Sequence, residues 1–509
     1  MNKQNRLKNT SRNIGVGLIC QCIVLILPFI NRTILIYTLG AKFTGLSSLF
    51  TSILSVLNIA ELGFNAAIIY NMYKPIADTD VNEVKKLLVL YRRIYKIVGI
   101  VMLCGGIIIL PFIKLLIKGD VPSNINLYVL YLMYLLNSVL SYLLFAYKES
   151  ILLADQRQDV SSLIRTGITI LQYVLQFILL IITKNYYVYM LIAILGTVCT
   201  NFMIYYIVNK MYPEYKKIGQ QSAKISKKMK KQLGAMLLDR ICTVSRNSID
   251  SIIISSFLGL VSVTIYSNYY SIYNSLYTLV LVIGHSMTAS IGNSLITESD
   301  EKNHQDLEKF SFIHVWIAGW LSICLACLYQ PFMKIWMGEN LLLSNFNMLL
   351  FCIYFYVINM STIKNQYITA SGTQQFYKKG YILQLISNII LNIVLGKYLG
   401  ITGILLATIF TSLFIDFVYM TKILFKSYFK DFSFGKYMAL NVKWMIEVLI
   451  IGSFVYWLCN LMHFDPIKQI LVNIIICVII PQILFIFVWY RTDYFKDMIM
   501  ILKRVLGGR

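Results

Sequence analysis

IGVGLICQCIVLILPFINRTILIYTLGAKFTGLSSLFTSILSVLNIAELGFNAAIIYNMY, residues Ile14–Tyr73, holds two apolar runs, 14–38 and 45–73, parted by six residues around Leu39-Gly40. Each is long enough to cross a hydrocarbon core about 30 Å thick as a helix, which takes about 20 residues. Neither shows the period of two that a barrel strand needs, and lipid leaves only helices and closed barrels to satisfy the backbone. Outward from this hairpin the same signal recurs to the end of the chain. Further spans are expected at 94–117, 126–147, 160–183, 187–209, 233–258, 262–293, 310–330, 343–371, 379–396, 401–424, 441–461 and 467–490. The composition agrees, with 58% hydrophobic and 14% charged residues over 509 positions, where a soluble chain carries about a quarter charged. The expectation is an all-α polytopic membrane protein of about fourteen transmembrane helices.

A formal net charge of +23 would point to nucleic acid in a soluble protein. In a membrane chain it reads as topology. With the N-terminus inside, 35 of the 46 Lys and Arg fall in the inner loops, tails and adjoining helix ends. Seven lie outside: Lys42, Lys114, Lys118, Lys184, Lys334, Lys397 and Lys468. This five-fold bias holds loop by loop and predicts cytoplasmic N- and C-termini, and it leaves no case for a nucleic-acid partner. The eight-lysine loop Lys210–Gln232 reads as an inner-surface segment facing anionic lipid. It sets the expected organisation: an N-terminal lobe over 1–210, a basic linker over 211–232, a C-terminal lobe over 233–425, and an extra helix pair with tail over 426–509.

Ten cysteines are scattered through apolar segments, and Cys324-x-x-Cys327 sits within ISICLACLY, so the thiols read as buried structural groups. No metal and no cofactor are expected. The first apolar run exceeds 20 residues and no small-residue cleavage site follows, so it is expected to stay as an anchor. No loop is large enough for a soluble catalytic domain. The Asp78-Thr79-Asp80 triplet lacks a βαβ context and reads as a solvated acidic loop.

Three outer turns resemble one another: YTLGAKFTGLSSLF (Tyr37–Phe50), SSFLGLVSVTIYS (Ser255–Ser267) and KYLGITGILLATIF (Lys397–Phe410). Each ends an outward helix on Leu-Gly, where glycine tolerates positive φ, and starts an inward helix at once. Such matching hairpins fit the internal repeats of secondary transporters.

Ionisable groups inside a span are expensive and mark function by default. Helix 7, LLDRICTVSRNSIDSIIISSF, carries Asp239, Thr243, Arg246 and Asp250 in one stripe, flanked by Arg240 and Asn247. Arg246 and Asp250 stand at i, i+4 and can pair. Helix 1 carries Gln21, Pro28 and Arg32. Helix 2 carries Thr51, Ser55, Asn58, Glu61 and Asn65, helix 8 Ser271, Asn274, Thr278 and His285, and helix 10 Asn359, Thr362 and Gln366. Lys364 falls on the opposite face of helix 10. Helices 3, 5, 6, 9 and 14 read as nearly featureless. Two readings stand side by side for this set: a hydrophilic cavity between two lobes, or interhelical polar contacts that only hold the bundle.

The hairpin YTLGAKFTGLSSLFTSILSVLNIAELGFNAAIIYNMYKPIADTD (Tyr37–Asp80) resembles that of the Wzx-type oligosaccharide-lipid flippases. These belong to the multidrug/oligosaccharidyl-lipid/polysaccharide exporter superfamily. The likeness rests on Leu39-Gly40, Gly45-Leu46, Glu61-Leu62-Gly63 and Tyr73-Lys74-Pro75, with Ser371-Gly372 at the turn after helix 10. The resemblance implies two six-helix lobes plus an extra pair. It implies alternating-access transport of undecaprenyl-diphosphate-linked oligosaccharide from the inner to the outer leaflet, for capsule, O-antigen or a related polymer. Membrane lipids and a polymerase of the same pathway would be its partners, and a bacterial cytoplasmic membrane its location. By depth and helical face, the candidate cavity residues are Arg32, Asn58, Glu61, Asp239, Arg240, Arg246, Asn247, Asp250, Asn274, His285, Asn359, Lys364 and Gln366. Among them, arginines would meet diphosphate or acidic sugar and amides the sugar hydroxyls.

Two other cargoes share this architecture: lipid II or teichoic-acid precursors, and cationic drugs exchanged by an antiporter. A membrane enzyme is disfavoured, since His285, His304, His314 and His463 do not cluster along the chain and no nucleophile motif appears. No GxxxxGK[ST] is present, which argues against direct ATP drive.

Overall fold

The computed structural model describes residues 3–58, 64–219, 227–461 and 464–506, and among them every regular element is helical. The chain forms two compact units, Met1–Thr264 and Ile265–Arg509. Unit 1 holds α1 (Lys3–Leu39), α2 (Ala41–Leu57), α3 (Phe64–Ala77), α4 (Val81–Ile109), α5 (Leu127–Leu143), α6 (Glu149–Ala154), α7 (Gln158–Thr183), α8 (Tyr186–Met211), α9 (Lys227–Leu258) and the start of α10 (Leu260–Thr297). Unit 2 takes the rest of α10, then α11 (Asp300–Met337), α12 (Asn345–Met360), α13 (Thr362–Ala370), α14 (Lys378–Leu399) and α15 (Ile401–Phe410). A π-helix (Thr411–Tyr419) leads to α16 (Met420–Ser427), α17 (Phe434–Leu461), α18 (Pro466–Trp489) and α19 (Asp493–Leu506).

Among the described residues, eleven helical stretches are long and apolar enough to cross a membrane, or twelve if α5 and α6, bent by 42°, form one span. Two of the fourteen expected spans are not counted. Span 45–73 includes residues 59–63, which lie outside the described residues, and its described parts, α2 and α3, are 17 and 14 residues long. Span 233–258 is α9, whose polar stripe lowers its apolarity.

Glycine shapes the hairpins as the sequence predicts. Gly40, Gly259 and Gly400 follow the helix-ending leucines with φ of +98°, +87° and +60°, a region that costs other residues steric strain. Two further glycines allow backbones to touch. A Cβ on Gly45 would lie 2.2 Å from the Leu260 carbonyl oxygen, and one on Gly403 would lie 2.0 Å from that of Leu395.

Unit 1 reaches into α10 for a visible reason. Thr264 Oγ1 donates to the Ala41 carbonyl at 2.6 Å, and the Lys118 amide donates to that of Ser255 at 2.9 Å. These bonds fasten the α9–α10 turn to the first hairpin and to the α4–α5 connection. The core beneath is aromatic, with Phe43 edge-on to Tyr186 and Phe50 edge-on to both Tyr131 and Tyr134. Such pairs add about 0.5–1.5 kcal/mol each beyond area burial.

In unit 2 the aromatic centre is Phe312, Trp316, Trp444, Phe485 and Trp489, which binds α17 and α18 to α11. Two of its indoles find acceptors: Trp316 Nε1 donates to Gln482 and Trp489 Nε1 to Glu447. The amphipathic α19 is tied back by Tyr494 to Glu308 and by Lys309 to Asp497.

Candidate functional site

Unit 2 contains a buried ion pair where two irregular helices meet. Helix 10 breaks at Ser361, between α12 and α13, and Lys364 sits one turn past the break. Its side chain is fully enclosed, and Nζ lies 2.7 Å from Asp416 Oδ1 and 2.6 Å from the Asp416 carbonyl oxygen. Asp416 belongs to the π-helix. In an α-helix the Met420 amide would take the Asp416 carbonyl, four residues back. Here it bonds those of Ile415 and Phe417, and the Asp416 carbonyl accepts from Lys364 instead. The loosened register thus gives a buried cation two oxygens from one residue. Broken and π segments within spans concentrate at functional sites for this reason.

Beside the pair, Thr288 Oγ1 donates to Gln366 Oε1 at 2.5 Å, and Gln366 Nε2 lies 3.4 Å from His285 Nδ1. A second polar seam runs along α14, where Asn388 Nδ2 donates to Thr408 and Thr411 and Asn392 Nδ2 donates to Asn388. Asn359 is buried and donates to the Phe355 carbonyl at 2.7 Å, facing a small enclosed void that His314 and Asn441 also line. Asn274 is exposed on α10.

Unit 1 contains a polar pocket of about 610 Å³ between α5, α6, α7 and α8. Hydroxyls and amides of Ser161, Thr169, Gln172, Thr197, Thr200 and Asn201 line it. One charged pair stands at the wall. Arg165 grips Glu149 in a two-pronged contact, with Nε donating to Oε1 at 2.9 Å and Nη2 to Oε2. Arg165 is half exposed, so this pair contributes at most about 1 kcal/mol to stability, and its charges remain accessible to a ligand. The segment after α8 is tied to the one after α6 by Tyr212, whose OH donates to Asp155 at 2.6 Å. Burial, with the neighbouring carboxylate, raises that phenol's pKa above its ordinary value.

The remaining expected site residues fall as follows. Arg32 is half-buried on α1 and donates from Nη2 to Ser48 Oγ at 3.0 Å. Its neighbour Asn31 donates to Tyr189 OH at 2.6 Å. Asn58 accepts from Tyr142 OH, which joins the end of α2 to α5. Arg246 is half-buried and Asp250 buried on α9. Glu61 lies outside the described residues, as do the side chains of Asp239, Arg240 and Asn247. The structure therefore brings Gln366 to His285 and gives Lys364 a carboxylate partner. Sequence reasoning missed Asp416 and the pocket on α7 and α8. Asp416 is a single acid in an otherwise apolar span, and that alone was a usable signal.

The family of polysaccharide biosynthesis proteins matches residues 10–291. No individually curated protein matches the chain by sequence. Among solved structures, the fold resembles the lipid II flippase MurJ in its inward closed conformation, at 14% identity and TM-score 0.69, over 96% of this chain and 100% of that one. It also resembles a multidrug resistance MATE family transporter of the MOP superfamily, facing inward, at 14% identity and TM-score 0.62, over 84% and 98%. The Vibrio cholerae MATE transporter VcmN, in its bent form, matches at 13% identity and TM-score 0.55, over 86% and 100%.

Proposed function

This chain belongs to the polysaccharide biosynthesis protein family, and we propose that it flips undecaprenyl-diphosphate-linked oligosaccharide from the inner to the outer leaflet of a bacterial cytoplasmic membrane. The observation that carries the proposal is the unit 1 pocket, within the stretch that the family covers. Its hydroxyl and amide lining, with one accessible Arg–Glu pair, has the chemistry of sugar recognition and offers little to a greasy cation. The polyprenyl tail needs no such lining, because it can remain in lipid while the polar head group passes through protein.

Arg32, Arg240 and Arg246 supply the cationic contacts for diphosphate or acidic sugar, as guanidinium groups do by paired hydrogen bonds. Glu61, Asp239 and Asp250 serve as counter-charges or in ion coupling. The polymer built from the cargo is capsule, O-antigen or a related surface polysaccharide. The likeness to a lipid II flippase supports a lipid-linked cargo of this kind and keeps lipid II as the second reading.

The test is a flipping assay in proteoliposomes. Lipid-linked oligosaccharide is loaded, and the fraction oxidised by external periodate is followed over time. Exposure that is faster than in empty vesicles, and that slows when Arg32 or Arg246 is replaced by Gln, supports the proposal. Equal rates with and without protein overturn it. Faster flipping of lipid II than of any oligosaccharide carrier selects the second reading.

A further inference from the structure

Unit 2 contains a three-sulfur cluster that the flipping chemistry does not use. The sequence pairs Cys324 with Cys327, but the fold groups Cys327 of α11 with Cys459 of α17 and Cys477 of α18. Their three Sγ atoms all lie within 4.8 Å of one another, and all three residues are buried. The described cysteines are all free thiols.

Three features distinguish this cluster from chance packing of small side chains. First, each cysteine's own carbonyl is held by a side-chain donor from another residue. Asn473 Nδ2 donates to the Cys327 carbonyl at 3.1 Å, Gln469 Nε2 to that of Cys459 at 3.0 Å, and Trp320 Nε1 to that of Cys477 at 2.8 Å. Second, two of the holders are linked, since Gln469 Nε2 also donates to Asn473 Oδ1 at 3.0 Å. Outer contacts of this kind fix where ligand atoms stand at metal sites. Third, there is an entry path. Cys327 forms part of the wall of a pocket of about 570 Å³, whose polar lining includes Gln330, Asn460, Gln469 and Asn473.

We propose that Cys327, Cys459 and Cys477 bind one soft, thiophilic d¹⁰ cation, which staples α17 and α18 to α11. Sulfur ligands select this class over hard cations. A metal–sulfur distance of about 2.3 Å in a trigonal set places the sulfurs about 4.0 Å apart, inside the observed limit. Loss of two thiol protons neutralises a divalent ion, so the complex brings no net charge into the apolar bundle. The third sulfur completes the set, and the protons leave through the pocket that Cys327 reaches.

The experiment uses the full chain, purified reduced in detergent and titrated with Cd(II). Ultraviolet sulfur-to-cadmium charge transfer reports binding, and elemental analysis after desalting reports stoichiometry. The expected result is one Cd(II) per chain, with affinity at least tenfold weaker in Cys459→Ser and in Cys327→Ser and unchanged in Cys104→Ser. Asn473→Ala, which touches no metal, weakens binding about 10- to 100-fold. Should both cluster variants fail to fold, wild-type protein decides the matter by mass spectrometry. Bound Cd(II) must then protect the three cluster cysteines from N-ethylmaleimide. No stoichiometric binding, binding unchanged by the cluster substitutions, or unprotected thiols would each overturn the proposal. So would a disulfide within the cluster in protein isolated without reductant.

Discussion

Replacing Lys364 with Met removes a cation from a site with no access to solvent and breaks its 2.7 Å contact with the Asp416 carboxylate. The Asp416 carbonyl loses its 2.6 Å donor at the same time. Breaking one side of a buried pair costs about 3–5 kcal/mol, mostly from the charge left behind. For a unit of 245 residues (Ile265–Arg509) at roughly 2–4 °C per kcal/mol, the melting point should drop by about 6–20 °C. Asp416→Leu should fall in the same range. The double variant, Lys364→Met with Asp416→Leu, removes both charges and should recover most of the loss, because apolar replacement of a whole pair is often neutral or stabilising. The assay is thermal unfolding of purified protein by intrinsic fluorescence, run beside flipping in proteoliposomes. If the pair takes part in transport, the double variant is stable and inactive. A double variant that is both stable and fully active would refute any role beyond packing. Single variants that melt like wild type would refute the buried-pair argument itself.

Other outcomes follow from particular contacts. Gly403→Ala places a Cβ 2.0 Å from a backbone oxygen that cannot rotate away, so it should cost about 1–3 kcal/mol and shrink the monodisperse peak in size-exclusion chromatography. Arg165→Gln should leave melting within about 1 kcal/mol of wild type, because the pair is half exposed, yet reduce flipping at least tenfold if the pocket meets the cargo. Gln366→Leu removes the bonds to Thr288 and His285, neither of them buried, and should lower stability by about 0.5–1.5 kcal/mol, measured as a shift in melting point.

Fold class was legible because the lipid constraint is strong and local. Any run of about 20 apolar residues must be a helix, and Leu-Gly at positions 40, 259 and 400 announced positive φ before the structure displayed it. Membership of the two compact units was less accessible. The start of α10 joins unit 1 through hydrogen bonds from Thr264 and Lys118 that no sequence period encodes. At the candidate site, helical periodicity sent Lys364 away from Asn359 and Gln366. In α13, past the turn at Ser361, Lys364 reaches Asp416 while Gln366 meets Thr288 and His285. Asp416 was legible as a lone acid in an apolar span, but its partner was not, because the π-helix aims it in a direction that a 3.6-residue wheel does not give. Helices 5 and 6 read as featureless because Gln172, Thr197 and Asn201 are neutral and spread among apolar neighbours. They become a pocket only when α7 and α8 face each other. The thiol cluster was hidden more deeply still, since its members stand 132 and 18 residues apart in sequence (327 to 459, 459 to 477).

The central claim is directional transport of a lipid-linked glycan. Its most direct test is deletion of the gene, followed by mass and leaflet analysis of the cell's undecaprenyl-diphosphate-linked saccharides. The account predicts complete repeat units accumulating on the cytoplasmic face while surface polymer is lost. Completed units appearing unpolymerised on the outer face would contradict it, because the step lost would then lie after flipping.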